Sequence, residues 1–293
     1  MSALVLALTL CAGNVRGALI HRYSFNGTPN DSVGVANGTL MNAATVAGGQ
    51  LQFNNPNFSA NGVQGADPNG YLSLPASIMP LTGSVTIEEW FTITGSGFFA
   101  ESYTFTDHAN DANPPSATNG QYLMHAISAP QGGPNPSGGG NHVAQATAGF
   151  TTETDAFNTT PGVGAFGGGY LDDGETFMCA TVIDSGAGTL SYYMFDVSQG
   201  GLGGLQQTIT AIPLSSYSFT NAYLGRSAFW QDNATSGSFD EFRIYSDARS
   251  AAQIANDYAF GPNNLPEPGS LTLAGLGALG LLSSRRSRPQ IAA

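Results

Sequence analysis

The sequence predicts an all-β domain made of two packed antiparallel sheets, and three observations carry that expectation. Glycine (39 residues) and proline (16) cut the 293-residue chain into many short segments, the punctuation of strands and turns rather than of long helices. Several segments alternate apolar and polar residues with period two, so each strand turns one face toward a core. Only residues 249–260, RSAAQIANDYAF, have helical spacing, and that run is brief. Two sheets with their dry faces together satisfy this pattern.

From the N-terminus, residues 2–12 (SALVLALTLCA) form an apolar run too short to span a bilayer, followed by small residues. Residues 1–17 are expected to be a signal peptide, with Val15 and Gly17 suited to cleavage before Ala18. Leu10 is too bulky to precede a lipid-modified Cys11. Strands are expected at 84–93, 121–128, 175–184, 189–197 and 238–246. In the first, Val85, Ile87, Glu89, Phe91 and Ile93 share one face, and Thr86, Glu88, Trp90 and Thr92 the other. In the last, strict alternation puts Asp240, Phe242 and Ile244 on one side, and Phe239, Glu241, Arg243 and Tyr245 on the other. Trp90 reads as core, and Cys179, alternating with Phe177 and Thr181, as a buried small hydrophobe. No CxxC pair suggests zinc. One domain is expected over 18–262 and a separate tail over 263–293.

Charge narrows the partners. All eight basic residues are arginine, and between residues 18 and 264 nineteen acidic residues face four arginines, Arg22, Arg226, Arg243 and Arg249. Such a surface repels phosphate backbones, which speaks against nucleic acid, and suits divalent cations or neutral glycans.

The tail runs through Pro266, Glu267 and Pro268, an apolar stretch from Leu271 to Leu282, then Arg285, Arg286 and Arg288. In order and spacing it resembles the PEP-CTERM sorting signal of exopolysaccharide-producing Gram-negative bacteria. That resemblance implies recognition of Pro266, Glu267 and Pro268 by an exosortase-type protease, with a short transmembrane helix holding the chain transiently in the inner membrane. The basic cluster agrees with the positive-inside rule, and about 16 residues between Pro268 and Arg285 make a marginal span.

The segments HRYSFNGTPNDSVG (21–34), GYLSLP (70–75), TGSVTIEEWFTI (82–93) and NAYLGRSAFWQDNATSGSFDEFRIYSDARSAAQI (221–254) look like the opening, early and closing motifs of LamG-like jelly rolls. The resemblance covers roughly 19–260 and implies a concanavalin A-like jelly-roll sandwich, frequently a glycan-binding or adhesive module, sometimes with a rim calcium; it does not imply catalysis. The chain departs from it between Glu101 and Asp173, where PPSATNG, QGGPNPSGGGN and FGGGY make long glycine-rich loops.

Two sites are expected. Asp31, in the NDSVG turn, and Asp240 match positions where this family brings its first and last strands together. Their carboxylates are hard oxygen ligands suited to Ca2+; otherwise Asp31 caps its own turn. For carbohydrate, a sugar ring needs a flat apolar platform beside hydrogen-bonding groups, and Trp230 with Gln231, Asp232 and Asn233 offers both. Tyr103, Tyr122 and Tyr170 are further candidates. A glycoside hydrolase needs carboxylates about 5 Å apart for retention, yet the ExDxxE pattern is missing. The neighbouring pairs Glu88/Glu89, Asp172/Asp173 and Asp240/Glu241 point to opposite faces within any strand. There is no GxSxG, and His21, His108, His125 and His142 fall in no HExxH or HxH spacing. The expectation is an exported, surface-anchored, non-catalytic module binding carbohydrate or extracellular matrix polysaccharide. Its rivals are a structural envelope or matrix protein without a specific ligand and, less favoured, a glycoside hydrolase.

Overall fold

A computed structural model describes residues 17–55, 69–95, 99–107, 120–130, 142–149, 153–157, 174–229 and 232–264. The expected signal peptide up to residue 16, Tyr170, Trp230, Gln231, the motif Pro266, Glu267 and Pro268, and the C-terminal apolar segment lie outside them. Among the described residues no helix is long and apolar enough to cross a membrane.

The strands in chain order are β1 (Leu19–Tyr23), β2 (Thr39–Met41), β3 (Thr45–Ala47), β4 (Gln50–Phe53), β5 (Tyr71–Leu74), β6 (Val85–Gly95), β7 (Ala100–Thr106) and β8 (Tyr122–Pro130). Then follow β9 (His142–Gly149), β10 (Glu153–Phe157), β11 (Glu175–Asp184), β12 (Thr189–Asp196), β13 (Leu202–Thr210), β14 (Asn221–Leu224) and β15 (Ser236–Tyr245), before the helix α1 (Ala251–Phe260). Among the described residues they form two antiparallel sheets. One has eight strands in the order β13-β12-β11-β6-β15-β4-β3, with β1 also on β15; the other has seven, β10-β9-β8-β7-β14-β5-β2. This is the expected two-sheet jelly-roll sandwich. First and last strands meet directly, with Tyr23 opposite Phe242.

The core lies between the sheets, and the alternation expected for β6 holds. Val85, Ile87, Phe91 and Ile93 are buried there with Phe177, Cys179, Leu190, Met194, Leu123 and Phe105. Phe91 sits among the rings of Phe177, Phe239 and His125, with centroids 5.8–5.9 Å away. The other face of β6 is dry too, because α1 lies over it: Trp90, Met178, Ala180, Val182, Tyr193, Phe195 and Ile254 form a second apolar cluster. Trp90 is therefore buried, but beneath the helix rather than between the sheets. Local signals start and stop α1. Ser250 accepts a bond from the Gln253 amide while the Gln253 side chain accepts one from the Ser250 amide, and Gly261, at φ 78°, ends the helix.

Strict alternation fails in β15. Phe239 pairs with Phe91 and Glu241 with Trp90, so Asp240 is an extra residue in a bulge. The bulge shifts the phase: Phe239 joins Phe242 and Ile244 in the core, instead of sharing the face of Glu241, Arg243 and Tyr245. We expect Phe239→Ala to cost about 3–5 kcal/mol in chemical denaturation, the range for emptying a buried aromatic site. A loss within about 0.5 kcal/mol, as for a solvent-facing position, would contradict this placement.

Candidate functional site

The seven-stranded sheet turns its second face away from the core, and aromatic side chains line it. Leu72, Leu74, Ala222 and Leu224 point inward, so Tyr71 and Tyr223 point outward by alternation. Their rings meet edge to face at 5.4 Å and 90°. The Arg226 guanidinium lies over both, 4.9 Å from the Tyr223 centroid and 5.4 Å from that of Tyr71, a cation–π arrangement. All three are only 1% exposed. Register extends the face from Tyr223 through Thr104 to Met124, and from Asn221 through Thr106 to Tyr122.

The chain leaves β14 over this face at Gly225, where φ is 80° and a Cβ would stand 2.7 Å from the Phe53 ring; only glycine fits. The following loop is closed on itself. The Ser227 hydroxyl donates to Asp232 Oδ2 at 2.6 Å and accepts from the Phe229 amide at 3.0 Å. The Asp232 amide in turn donates to the Phe229 carbonyl at 3.1 Å. Phe229 packs edge to face on Tyr122 at 5.2 Å. Trp230 and Gln231 therefore lie, in sequence, between two anchored ends. Asp232 is buried and Asn233 half-buried. Burial pushes the Asp232 carboxyl up to about 8, against a partial lowering by the Ser227 bond. Of the other candidate tyrosines, Tyr122 is on this face, whereas Tyr103 points into the core and donates to Thr181 Oγ1 at 2.7 Å. The Tyr71–Tyr223–Arg226 stack was missed, although alternation in GYLSLP and NAYLGR carries the signal.

Asp31 organises its turn. Oδ1 accepts from the amides of Arg22, Val33 and Gly34 at 3.0, 3.1 and 2.9 Å. Oδ2 accepts from the Ala36 amide at 3.2 Å and lies 2.6 Å from His21 Nδ1. Burial raises its pKa, but the bonds from His21 and the backbone outweigh that, and the carboxyl lies below its ordinary value. Oxygens so surrounded face donors, not a cation. Asp240 accepts instead from Gln50 Nε2 at 2.8 Å, so the two carboxylates are engaged by different partners.

Inside the sandwich, Glu89 Oε1 meets His125 Nδ1 at 2.5 Å and accepts from the Ser102 hydroxyl at 2.8 Å. Ser, His and Glu are hydrolytic residue types, but Ser102 and Glu89 share one ring nitrogen, Nδ1. A relay needs the nucleophile on one nitrogen and the acid on the other. Here Nε2 is bonded to the Tyr192 hydroxyl at 2.8 Å. Among the described residues, Glu89, His125 and Cys179 are also the one group close enough to hold a metal. The Tyr192 hydroxyl stands between His125 and Cys179, 3.5 Å from the sulfur, and burial pushes the Cys179 thiol far up, away from the thiolate a metal needs. The cluster reads as a buried polar network in which Glu89 Oε2 has no hydrogen-bond partner among the described residues.

A cleft of about 320 Å3 opens at one end of the sandwich, between Leu81, Thr82, Ile183, Ile212 and Leu214, with Ser215 at its edge. Its lining contains no aromatic ring, and Asp184 there is held by the Gly186 and Ala187 amides at 2.8 and 3.1 Å.

The raised Asp232 pKa makes the loop sensitive to pH. Its folded value exceeds its unfolded one, so the stability it contributes is complete below about pH 4 and is lost as pH rises through about 8. Asp232→Asn keeps an acceptor for Ser227 and removes that loss. The variant's melting temperature should gain on wild type progressively from pH 4 to 9; a gap that stays constant would contradict the assignment.

Residues 64–255 match the family model of the concanavalin A-like lectin/glucanases superfamily, and residues 264–287 that of the PEP-CTERM protein-sorting motif. No curated protein matches the chain by sequence. The binding domain of botulinum neurotoxin DC, solved with rat synaptotagmin II, is similar over 80% of this chain and 49% of its own, at 14% identity and TM-score 0.46. The chain thus spans about half of that structure. The CBM40 of a Ruminococcus gnavus IT-sialidase is similar over 62% of this chain and 85% of its own, at 14% identity and TM-score 0.42. The CBM2 module of the evolved Dit of Lactobacillus casei BL23 phage J-1 matches over 80% and 98%, at 11% identity and TM-score 0.43. At such distances these likenesses say nothing of ligand. The sorting motif marks the protein as exported and directed to the cell envelope. With the family match covering most of the sandwich, the chain belongs to the concanavalin A-like lectin/glucanase superfamily.

Proposed function

We propose that the protein is an exported, non-catalytic module that binds carbohydrate, of the kind found in matrix polysaccharide, through the outer face of its seven-stranded sheet and the loop 226–233. The observation that carries this reading is the loop after Gly225, anchored at Ser227, Phe229 and Asp232 beside the buried Tyr71–Tyr223–Arg226 stack, which leaves Phe229 and Asn233 half-buried on either side of Trp230 and Gln231 in the sequence. The indole of Trp230, the half-buried Phe229 ring and the amides of Gln231 and Asn233 are the kinds of groups that neutral sugars use, with the buried stack as their support. Membership of a superfamily containing lectins supports it, as does the strong acidic excess, which disfavours polyanionic partners. The sealed Ser102–His125–Glu89 group supports the non-catalytic part. Processing at Pro266, Glu267 and Pro268 by an exosortase-type protease, with transient inner-membrane anchoring, belongs to the same proposal.

Affinity electrophoresis of the full chain through gels containing neutral polysaccharides tests the binding. Retardation is expected by at least one of them, and Trp230→Ala should weaken it by roughly tenfold without moving the melting temperature. Retention that ignores the substitution would move the site elsewhere, and failure to bind any polysaccharide would favour a structural matrix role. Running the gels with millimolar Ca2+ and with chelator examines the separate proposal of a rim calcium at Asp240; equal mobility discards it.

A further inference from the structure

We infer that Arg243 latches the start of the sorting segment onto the folded domain and so limits its capture by the processing protease. This rests on the sorting reading above. Arg243 is fully buried on β15, with its guanidinium 4.5 Å over the Trp90 ring and its Nε donating to Glu241 Oε1 at 2.7 Å. Its remaining reach goes to the chain leaving α1. One terminal nitrogen lies 3.4, 2.6 and 3.2 Å from the carbonyl oxygens of Gly261, Pro262 and Asn264. The Asn264 side chain donates to the Phe260 carbonyl at 2.9 Å, closing the segment back on the helix. The planar guanidinium keeps Nε on Glu241 while a terminal nitrogen faces the carbonyls, a division between two places that a single ammonium nitrogen cannot make.

The PEP-CTERM match begins at residue 264, so its first residue is one of those held. Pro266 follows two residues later, at most about 7 Å away along an extended chain. Proteases take substrate as an extended strand and pair with its backbone over several residues. The carbonyls of Pro262 and Asn264 cannot serve Arg243 and a protease groove together. Capture of Pro266, Glu267 and Pro268 therefore requires release of 262–264 from Arg243. Because Trp90, Glu241 and β15 fix the latch, a folded domain restrains its own tail and an unfolded one does not. Arg243 is in this sense a positioning residue for the processing step.

Pulse-chase labelling of the full chain in cells that contain an exosortase-type protease tests this, with processing read as a mobility shift. Inserting six Gly/Ser residues between Asn264 and Leu265 leaves the domain untouched and should speed processing roughly tenfold, about the weight of one charge-assisted hydrogen bond. Arg243→Lys, if its melting temperature shows a folded domain, should also speed it. An insertion variant processed no faster than wild type overturns the latch, as does a folded Arg243→Lys chain processed at the wild-type rate. Glu267→Ala separates the two readings: loss of processing there with no response to the insertion condemns the latch alone, and processing that ignores Glu267→Ala condemns the sorting reading and the latch with it.

Discussion

Two adjacent carboxylates at the middle of β6 set the terms for the rest of the molecule. Glu88 and Glu89 are 0% and 1% exposed, and a buried carboxylate without partners is strongly destabilising. Because neighbours on a strand point oppositely, each draws its partners from a different layer. Glu89 reaches across the sandwich to Ser102 and His125 on the opposite sheet. Glu88 faces outward to Arg249 at 3.4 Å and Arg243 at 3.9 Å, under α1. Burial, and then the nearby Asp257, push its carboxyl well above the ordinary range. One strand thus ties both sheets and the helix together through charge as well as apolar contact.

The outward network continues to both ends of the domain. Arg249 pairs with Asp257 on α1 and lies 4.1 Å over the Tyr245 ring, while Glu241 joins Arg243 to Arg22 on β1. First strand, last strand and helix are fixed by Arg22, Arg243 and Arg249, three of the eight arginines in a chain that has no lysine. Planar guanidinium groups suit such crowded sites because they serve several acceptors and stack on rings at once. Among the described residues the seven-stranded sheet carries no such helix, and Ala228 and Phe229, after the Gly225 turn, pack on its outer face with Tyr122 and Met124.

What the sequence disclosed follows from which interactions are local. The alternation of β6 and the helical spacing of α1 depend on residues within a few positions, and both were legible. The bulge at Asp240 was not, since an extra residue leaves no mark in a period-two pattern until the partner strand is known. The partners of the buried charges were equally hidden: Glu241 meets Arg22 across 219 positions. Asp31 lay between these cases. Its turn was evident, but not that five donors would converge on one carboxylate. The loop of the candidate site was located from Trp230, whereas the ring stack beside it needed two strands, β5 and β14, to be recognised as neighbours.

The central claim is that the ligand face is the outer surface of the seven-stranded sheet and not the cleft at the end of the sandwich. Titrating a neutral oligosaccharide into isotopically labelled protein while recording amide and indole NMR shifts addresses it residue by residue. The account predicts that shifts concentrate at the Trp230 indole and at the amides of Tyr71, Tyr223 and 226–233. Shifts confined to Thr82, Ser185 and Ser215 around the cleft would contradict it.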